Sequence, residues 1–447
     1  MRPEQGIPTV SECFDDGSIV ELLYNPQERK TLLALYQSTQ WTLLPHIDLA
    51  TGRRLVPFSP ENNLIKNNVV LLPSEPAAYD TEERLVSDIR QFIHRYVDLS
   101  STFEHLATYY VILSWLYDAF AELPYLRLRG DFGTGKTRAL LVIGSICYKP
   151  FFASGASTVS PLFHTLDAFR GTMIFDEADF RFSDERAEIT KILNNGNVRG
   201  LPVLRTMMNR QREFNPRAFQ VFGPKIVATR GIYEDKALES RFLTEDMGGR
   251  PLRSDVPINL PDEMHEEARE LRNKLLLFRF NRRFDTVIDP SLADAKLHPR
   301  ANQILLPLLS IVKDPALRDE LRLIALNTQE GIVAERGLHT EAQVLEILAG
   351  KMLAAGEHAT ISLADITAAF IDRFGAEYGH PITNRWIGGI LRRRLHIKTH
   401  KSHGIYVVPG MEKERIRQLC DRYGVQRTRS DVQSHVQLGD VGTWGTS

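Results

Sequence analysis

The sequence predicts an α/β protein with a parallel-sheet core, a small and mostly β N-terminal region, and a helical C-terminal part. Three observations support this prediction. Short apolar runs alternate with helical patterns between residues 125 and 260, which is typical of a parallel sheet connected by helices. The 447 residues are enough for about three domains. The hydrophobic content of 43% is ordinary for a globular protein and excludes a collagen or a wholly disordered chain.

Charge and cysteine content narrow the class of protein further. The net charge of −1 excludes a uniformly basic nucleic-acid coat protein but leaves room for local basic patches. The three cysteines are far apart and lack zinc-ligand spacing. Residues 108–120, the longest apolar stretch, are too few to cross a bilayer and include Asp118. We therefore expect a cytoplasmic protein with no membrane partner.

Periodicity divides the chain into successive regions. Residues 19–24, 42–47 and 69–72 have strand character, whereas apolar residues recur at helical spacing from Asp80 onward. A second predicted helix, residues 103–120, is apolar on nearly every side and should be buried. The predicted regions are a small N-terminal region (1–78), the α/β core with its preceding helices (79–261), a helical region (262–332), a helical and β unit (333–410) and a basic, then flexible tail (411–447).

Residues 130–137 match the phosphate-binding pattern G-x-x-x-x-G-K-[ST]. They follow a predicted strand and open a predicted helix, which is the context that this pattern requires. Glycines let backbone N–H groups face nucleotide phosphates, and the helix N-terminus adds a favourable dipole. Lys136 is expected at the β- and γ-phosphates of ATP, and the Thr137 hydroxyl on Mg²⁺. The predicted nucleotide-binding residues are Gly130, Gly133, Thr134, Gly135, Lys136 and Thr137.

An acidic pair, Asp176 and Glu177, ends the apolar strand predicted over residues 172–175. About 40 residues after a phosphate loop, such a pair is typical of nucleotide hydrolysis: Asp176 would hold Mg²⁺ with Thr137, and Glu177 would orient the attacking water. The alternative is a solvated strand end, which is commonly acidic. The sequence therefore predicts ATP hydrolysis and not only binding.

The order of these motifs, with Ile-Val-Ala-Thr at 226–229 and Ala-Leu-Glu-Ser-Arg at 237–241, resembles that of AAA+ ATPases. The resemblance implies an AAA+ P-loop NTPase core with a helical lid over 262–332. It also implies that Thr229 is the sensor-1 residue and that Arg241 is an arginine finger for the neighbouring subunit's nucleotide. Arg300, at the start of a helix, is similar to sensor 2.

Alternatives remain for these arginines. Arg241 could form a salt bridge with Glu239 or Glu234. Arg300 could be a solvated first-turn arginine, and Arg272 is then the other candidate for sensor 2. With these residues the predicted catalytic set is Lys136, Asp176, Glu177, Thr229, Arg241 and Arg300.

Within AAA+ proteins, residues 100–410 resemble the minichromosome-maintenance-like helicases of mobile elements and prophages. Residues 201–206 and 218–223 can pair as a hairpin with its tip at 207–217. Such helicases place a hairpin before sensor 1 in the central pore, where cations contact DNA phosphates without sequence specificity. A basic loop that packs on a neighbouring subunit is the alternative. The predicted DNA-binding arginines of the hairpin are Arg205, Arg210, Arg212 and Arg217.

The C-terminal unit is predicted to be a winged helix. Helical patterns at 361–374 and 383–395 precede a hairpin over 397–400 and 404–408. Residues 380–430 hold 12 Lys/Arg against 3 Asp/Glu in a chain of net charge −1, which favours nucleic acid at this end. A winged helix used for subunit contacts is the alternative. The predicted DNA-binding residues here are Arg385, Arg392, Arg393 and Lys401.

Together these features predict an ATP-hydrolysing DNA motor, a hexameric ring helicase or translocase for replication of a mobile element or phage. The expected ligands are ATP, Mg²⁺ and single-stranded or forked DNA, with replication proteins as further partners. The alternative is an ATP-gated DNA-binding initiator, loader or regulator that does not unwind DNA. A protein remodeller is disfavoured, since no aromatic-hydrophobic-glycine pore loop is found.

Overall fold

The chain divides into two units, Met1–Thr328 and Gln329–Ser447. No helix in the part of the chain that the structure describes is long and apolar enough to cross a membrane. This computed structural model describes residues 6–176, 184–208, 214–233, 235–249, 252–337, 340–354, 360–375, 378 and 381–425.

The N-terminal region is mostly β, as predicted, and its strands pair antiparallel except for β1 and β7, which pair in parallel. A four-stranded sheet has the order β2-β3-β4-β5, and a three-stranded sheet has the order β1-β7-β6. The single strand predicted over 42–47 is instead the end of one strand and the start of the next, because Pro45 and His46 separate them, and the strand predicted over 69–72 is only an isolated bridge at Val70. The strands are β1 (Ile7–Thr9), β2 (Ser11–Cys13), β3 (Ile19–Asn25), β4 (Lys30–Gln37), β5 (Gln40–Leu44), β6 (Ile47–Asp48) and β7 (Arg54–Pro57).

Strand β3 lies between two apolar clusters. Ile19 and Leu23 belong to the cluster that contains the following helices, whereas Val20 and Leu22 belong to the cluster on the other side. This division follows from the two-residue period of a strand, which sends successive side chains to opposite faces. The N-terminal strands are therefore part of the packed core of the first unit.

Three helices lead from this region to the central sheet. The hydroxyls of Thr81 and Ser100 accept hydrogen bonds from backbone N–H groups and cap the second and third helices. The third helix is buried on nearly every side, which confirms the prediction made from its apolar composition. The helices are α1 (Asn63–Lys66), α2 (Glu82–Tyr96) and α3 (Ser101–Leu116).

The central sheet is parallel throughout, and this confirms the predicted α/β class. Its strand order is β14-β8-β13-β10-β9. The carboxyl ends of β8, β13 and β10 thus lie side by side at one edge. The elements are β8 (Tyr125–Arg129), α4 (Lys136–Ser145), β9 (Phe151–Ser154), α5 (Val159–Phe169), β10 (Met173–Asp176), α6 (Asp184–Asn195), β11 (Val203–Met208), β12 (Phe214–Phe219), β13 (Lys225–Thr229), α7 (Lys236–Glu239) and β14 (Phe242–Asp246).

The β11–β12 pair is the predicted hairpin, but its strands are shifted from the predicted bounds. Arg205 pairs with Arg217 in the register, so Arg217 lies in a strand and not in the tip. Two arginines opposite each other would repel. Here each one has a carboxylate partner, Glu188 for Arg205 and Asp167 for Arg217, which allows the pairing to continue past them.

Long helices follow the central sheet in the chain, in agreement with the helical pattern of the sequence. The first of them, α8, spans 20 residues and buries both apolar and charged side chains. Pro299 occupies the first turn of the second, where its missing N–H is tolerated. These helices are α8 (Glu263–Arg282), α9 (Pro299–Ile311) and α10 (Pro315–Gly337).

The second unit combines helices with a three-stranded antiparallel sheet of order β15-β17-β16. His403 and Gly404 both have positive φ at the hairpin turn, as a two-residue turn between twisted strands requires. Helix α13 continues into a π-helical turn, Ile390–Arg394. The elements are α11 (Thr340–Ala354), β15 (Ile361–Ser362), α12 (Leu363–Phe374), α13 (Asn384–Gly389), β16 (His400–Ser402), β17 (Ile405–Val408) and α14 (Lys413–Tyr423).

Two sequence predictions for this unit need correction. The first strand of the hairpin begins at His400 and not at residue 397, since Ile397 is buried in the helical core instead. The region predicted as a basic tail begins with helix α14, which buries Ile416 and Cys420 and ends at Gly424 in the left-handed conformation. Residues 426–447 lie outside the described part of the chain.

Candidate functional site

The loop between β8 and α4, residues 130–135, has the backbone that the glycine pattern requires. Gly133 and Gly135 have φ of +79° and +88°, a region that disfavours side chains. A Cβ on Gly130 would lie 2.6 Å from the Met247 carbonyl oxygen. The loop therefore needs these three glycines for its shape, and it leads directly into the first turn of α4.

Lys136 holds the loop together from inside. Its Nζ donates hydrogen bonds to the carbonyl oxygens of Gly130 and Asp131, each at 2.6 Å. These two acceptors are neutral, whereas a phosphate oxygen would be charged and would bind the ammonium more strongly. The same side chain can thus shape the loop and bind an anion placed in it.

Thr137 and Asp176 meet at the edge of the sheet, although they are 39 positions apart in the sequence. The Thr137 hydroxyl donates to Asp176 Oδ2 at 2.6 Å. Hydroxyl and carboxylate oxygens are the donor types that Mg²⁺ prefers. Among the described residues there is no group of three or more His, Cys, Asp or Glu that could hold a metal by itself. A cation here would need oxygens from a bound phosphate as well. Glu177 lies outside the described residues.

A pocket of about 350 Å³ opens beside these groups. Its lining includes Thr134, Lys136 and Asp176, together with Arg230, which the sequence analysis did not single out. Arg230 follows directly after β13, and a cation at the carboxyl end of a parallel strand was the signal that could have identified it. The exposed Phe132 side chain, 91% accessible, stands at the mouth of the pocket.

Thr229, the predicted sensor-1 residue, is not among the residues that line this pocket. Its side chain is buried and its hydroxyl donates to the Gly231 carbonyl oxygen at 2.9 Å. Strand β13 does lie between β8 and β10, as the prediction requires. At the end of β13, then, Arg230 and not Thr229 borders the pocket.

Arg241 is buried within its own chain. Its Nε donates to Asn197 Oδ1 at 2.8 Å, and its Nη1 donates to Asn194 Oδ1 at 2.6 Å. The alternative of a salt bridge with Glu239 is wrong, because Glu239 pairs with the buried Arg127. Burial lowers the pKa of Arg241, and so does the charge of Arg300.

Neither Arg241 nor Arg300 lines the pocket at the phosphate loop. Arg272, the alternative for sensor 2, does not line it either. Its Nη1 donates to the Ser145 carbonyl oxygen at 2.6 Å, which ties α8 to the end of α4. Burial, followed by the charge of Arg269, lowers the pKa of Arg272 to about 9.

The two described arginines of the hairpin are both engaged. Arg205 pairs with Glu188, and its guanidinium carbon lies 3.9 Å from the centre of the Phe163 ring. Arg217 Nη2 donates to Asp167 Oδ2 at 3.1 Å. The hairpin predictions for Arg210 and Arg212 fall outside the described residues.

The four predicted DNA-binding residues of the second unit are exposed. Arg392 Nη1 donates to the Thr399 hydroxyl at 3.1 Å, and its guanidinium carbon lies 5.7 Å from the ring centre of Tyr406 on β17. This contact places the end of the α13 helix beside the hairpin. Arg385, Arg393 and Lys401 are exposed.

Comparison with known proteins identifies no family. No family description matches the chain, and no curated protein matches it. Among solved structures, the apo NrS-1 C-terminal region (305–718) has a TM-score of 0.40 and 12% identity, covering 87% of this chain and 96% of that chain. An A-form apo structure of the NrS-1 C-terminal region has a TM-score of 0.36 and 10% identity, with the same coverage. At these values the likeness carries no argument about function.

Proposed function

We propose that this chain is an AAA+ ATPase with a C-terminal winged helix, and that it acts as an ATP-driven DNA motor. The observation that carries the proposal is the contact between Thr137 and Asp176, 2.6 Å, beside a glycine loop and Lys136. The strand order β14-β8-β13-β10-β9 supports it, because that order brings the loop, the acid and the end of β13 to one edge.

Each residue of the pocket has a proposed part in hydrolysis. Lys136 exchanges the loop carbonyls for the β- and γ-phosphate oxygens of ATP. Thr137 and Asp176 hold Mg²⁺, which neutralises charge on the phosphates. Glu177 orients the attacking water. Arg230 donates to the γ-phosphate from the end of β13, a role that the sequence alone suggested for Thr229.

Oligomer formation is part of the proposal. Arg241 and Arg300 do not line the pocket of their own chain. In a ring, preferably a hexamer, they would instead contribute to the nucleotide site of a neighbouring subunit. Arg241 would then give up its hydrogen bonds to Asn194 and Asn197.

DNA is the proposed polymer, in the replication of a mobile element or phage, as the resemblance implies. The hairpin would follow the backbone of a single strand, and the second unit would bind DNA through Arg385 on α13, Arg393 in the π-helical turn and Lys401 on β16. One observation favours the second candidate, an ATP-gated initiator or regulator. The described hairpin arginines, Arg205 and Arg217, are ion-paired within the chain, whereas these three cations of the second unit are exposed.

Steady-state ATP hydrolysis tests the proposal and separates the two candidates. It should be measured without DNA and with single-stranded, duplex and forked DNA, using Lys136→Ala as the blank. For a motor we expect strong stimulation by single-stranded or forked DNA, which the Arg210→Ala/Arg212→Ala double variant loses. A slow rate indifferent to DNA would reject the motor in favour of the initiator. Hydrolysis that survives in Lys136→Ala would reject the ATPase site itself.

A further inference from the structure

A cavity lies at the base of the hairpin, apart from the phosphate loop. It has a volume of about 620 Å³, larger than the pocket beside Lys136, and shares no lining residue with it. Its walls come from α5, α6, β11 and β12. A cavity of this size is within the range of small-ligand sites.

The wall of this cavity is aromatic and cationic. The buried rings of Phe163 and Phe219 form its floor, with their centres 6.0 Å apart. The half-buried His164 ring meets Phe219 edge-on at 4.9 Å. The Arg205 guanidinium lies over Phe163, and the Arg205 side chain remains 30% exposed. Guanidinium planes and aromatic rings are surfaces on which nucleic-acid bases stack.

Arg205 also lacks one hydrogen-bond acceptor. Its Nη2 donates to Glu188, but its Nε is buried and, among the described residues, has no partner. A buried donor left without an acceptor is unfavourable, and a ligand that brings an acceptor removes that penalty. The carbonyl oxygens and ring nitrogens at the edge of a base are such acceptors.

The carboxylate of Glu188 favours a neutral base over a phosphate as the ligand of this cavity. This carboxylate pairs with Arg205 and also accepts a hydrogen bond from Lys191 Nζ at 2.5 Å, so it offsets one of the two positive charges of this wall. A phosphate that approached Arg205 would be repelled by this carboxylate, which already accepts from Arg205 Nη2. A neutral base would not be repelled, and it could stack on Arg205 and accept from Nε.

We propose that this cavity binds a single base of the DNA strand that the hairpin contacts. The inference rests on the proposed DNA-binding function and adds a specific site to it. Arg205 thereby recognises a base and does not follow the phosphate backbone. Free nucleotides carry the same base, so the strand and the free nucleotide must be distinguished experimentally.

Arg217 supplies a matched control for Arg205. The two residues are partners in the hairpin register, and each is paired with a carboxylate. Arg217 does not line the cavity. Replacing either one removes the same charge from the same hairpin, but only Arg205 should affect recognition of a base.

The test compares binding of oligothymidylate with binding of an equally long, base-free deoxyribose phosphate strand. The wild-type chain should prefer the base-bearing strand, on the order of ten-fold, as stacking of a base provides. Arg205→Ala and the charge-preserving Arg205→Lys should lose this preference. Arg217→Ala should weaken both strands while keeping their ratio. Circular dichroism and thermal melting identify any variant that fails to fold, and Arg205→Lys is the variant that keeps the pair with Glu188.

Four results would overturn the proposal, each in a distinguishable way. Equal binding of both strands by the wild type would reject the base site alone, whereas no binding of either would reject the DNA function as well. A preference retained by both Arg205 variants would assign recognition to other residues. In a Lys136→Ala background, thymidine monophosphate that binds as tightly as the strand would assign the cavity to a free nucleotide.

Discussion

Replacing Glu21 by alanine should destabilise the first unit more than any surface substitution. Glu21 lies on β3 and is 1% exposed. It accepts hydrogen bonds from the Tyr148 hydroxyl, at 2.8 Å, and from Arg279 Nε, at 2.8 Å, and pairs with Lys149 Nζ at 2.6 Å. Burial alone would raise the pKa of Glu21, but the charges of Lys149 and Arg279 hold this pKa below its usual range. One carboxylate thus compensates two buried cations.

The expected loss follows from this geometry. Removing one partner of a buried ion pair destabilises a protein by about 3–5 kcal/mol, because the other charge stays buried without compensation. In Glu21→Ala, Arg279 keeps Asp118, at 2.8 Å, but Lys149 loses its carboxylate. We therefore expect a loss of about 3–5 kcal/mol, a large share of a typical stability of about 5–15 kcal/mol.

Urea unfolding measures this loss. The buried Trp115 stacks edge-on against Tyr148 at 5.2 Å, so its fluorescence should report on the cluster. Arg84→Ala is the control, because Arg84 is 61% exposed and its pair with Asp88 spans one helical turn. Such a pair contributes only about 0.3–0.5 kcal/mol. A Glu21→Ala midpoint no lower than that of Arg84→Ala would refute the reasoning.

Three further predictions concern other groups. Arg241→Ala should lower stability by about 1–3 kcal/mol in a thermal melt, because buried hydrogen bonds are lost; an unchanged melt with abolished hydrolysis would favour a purely catalytic role. Burial alone would raise the pKa of Asp118, but Arg279 and Arg283 hold this pKa below its usual 3.8. In acid the folded chain then binds fewer protons than the unfolded chain, so the free energy of unfolding falls as the pH drops below about 4. The Asp118→Asn variant should show a smaller fall of the urea midpoint with decreasing pH. The same fall in the variant as in the wild type would contradict this role of Asp118. Arg230→Ala should weaken ATP binding roughly ten-fold or more, because a hydrogen bond between charged groups is lost. Titration with a fluorescent nucleotide measures this affinity. Equal affinity of the variant and the wild type would count against a contact between Arg230 and the γ-phosphate.

Local patterns predicted the local parts of this structure. The phosphate loop was predictable because its glycines, Lys136 and Thr137 are contiguous and lie between a strand and a helix. The acidic end of β10 was predictable as well, because Asp176 directly follows the apolar residues of that strand. The alternation of apolar runs with helical patterns indicated the parallel sheet, because successive parallel strands are joined by helical crossover connections.

Long-range contacts were not predictable in this way. Glu21 and Arg279 are 258 positions apart, and each looks like an ordinary surface charge in the sequence. Arg241 matched a motif, but its burial depends on Asn194 and Asn197 at the end of α6. Pairing of charges across the chain depends on the fold, which a local pattern does not contain.

The pairing of β8 has a consequence for synthesis of the chain. In the register, Leu126 lies beside Ile226 and Tyr125 beside Phe242. Both neighbours of the strand that carries the phosphate loop are therefore made about a hundred residues after it. A nascent chain that ends before β13 carries β8 with the backbone N–H and C=O groups of both edges unpaired, and such edges promote association with other chains. Strand β8 should consequently be among the last strands to become protected while the ribosome translates this protein.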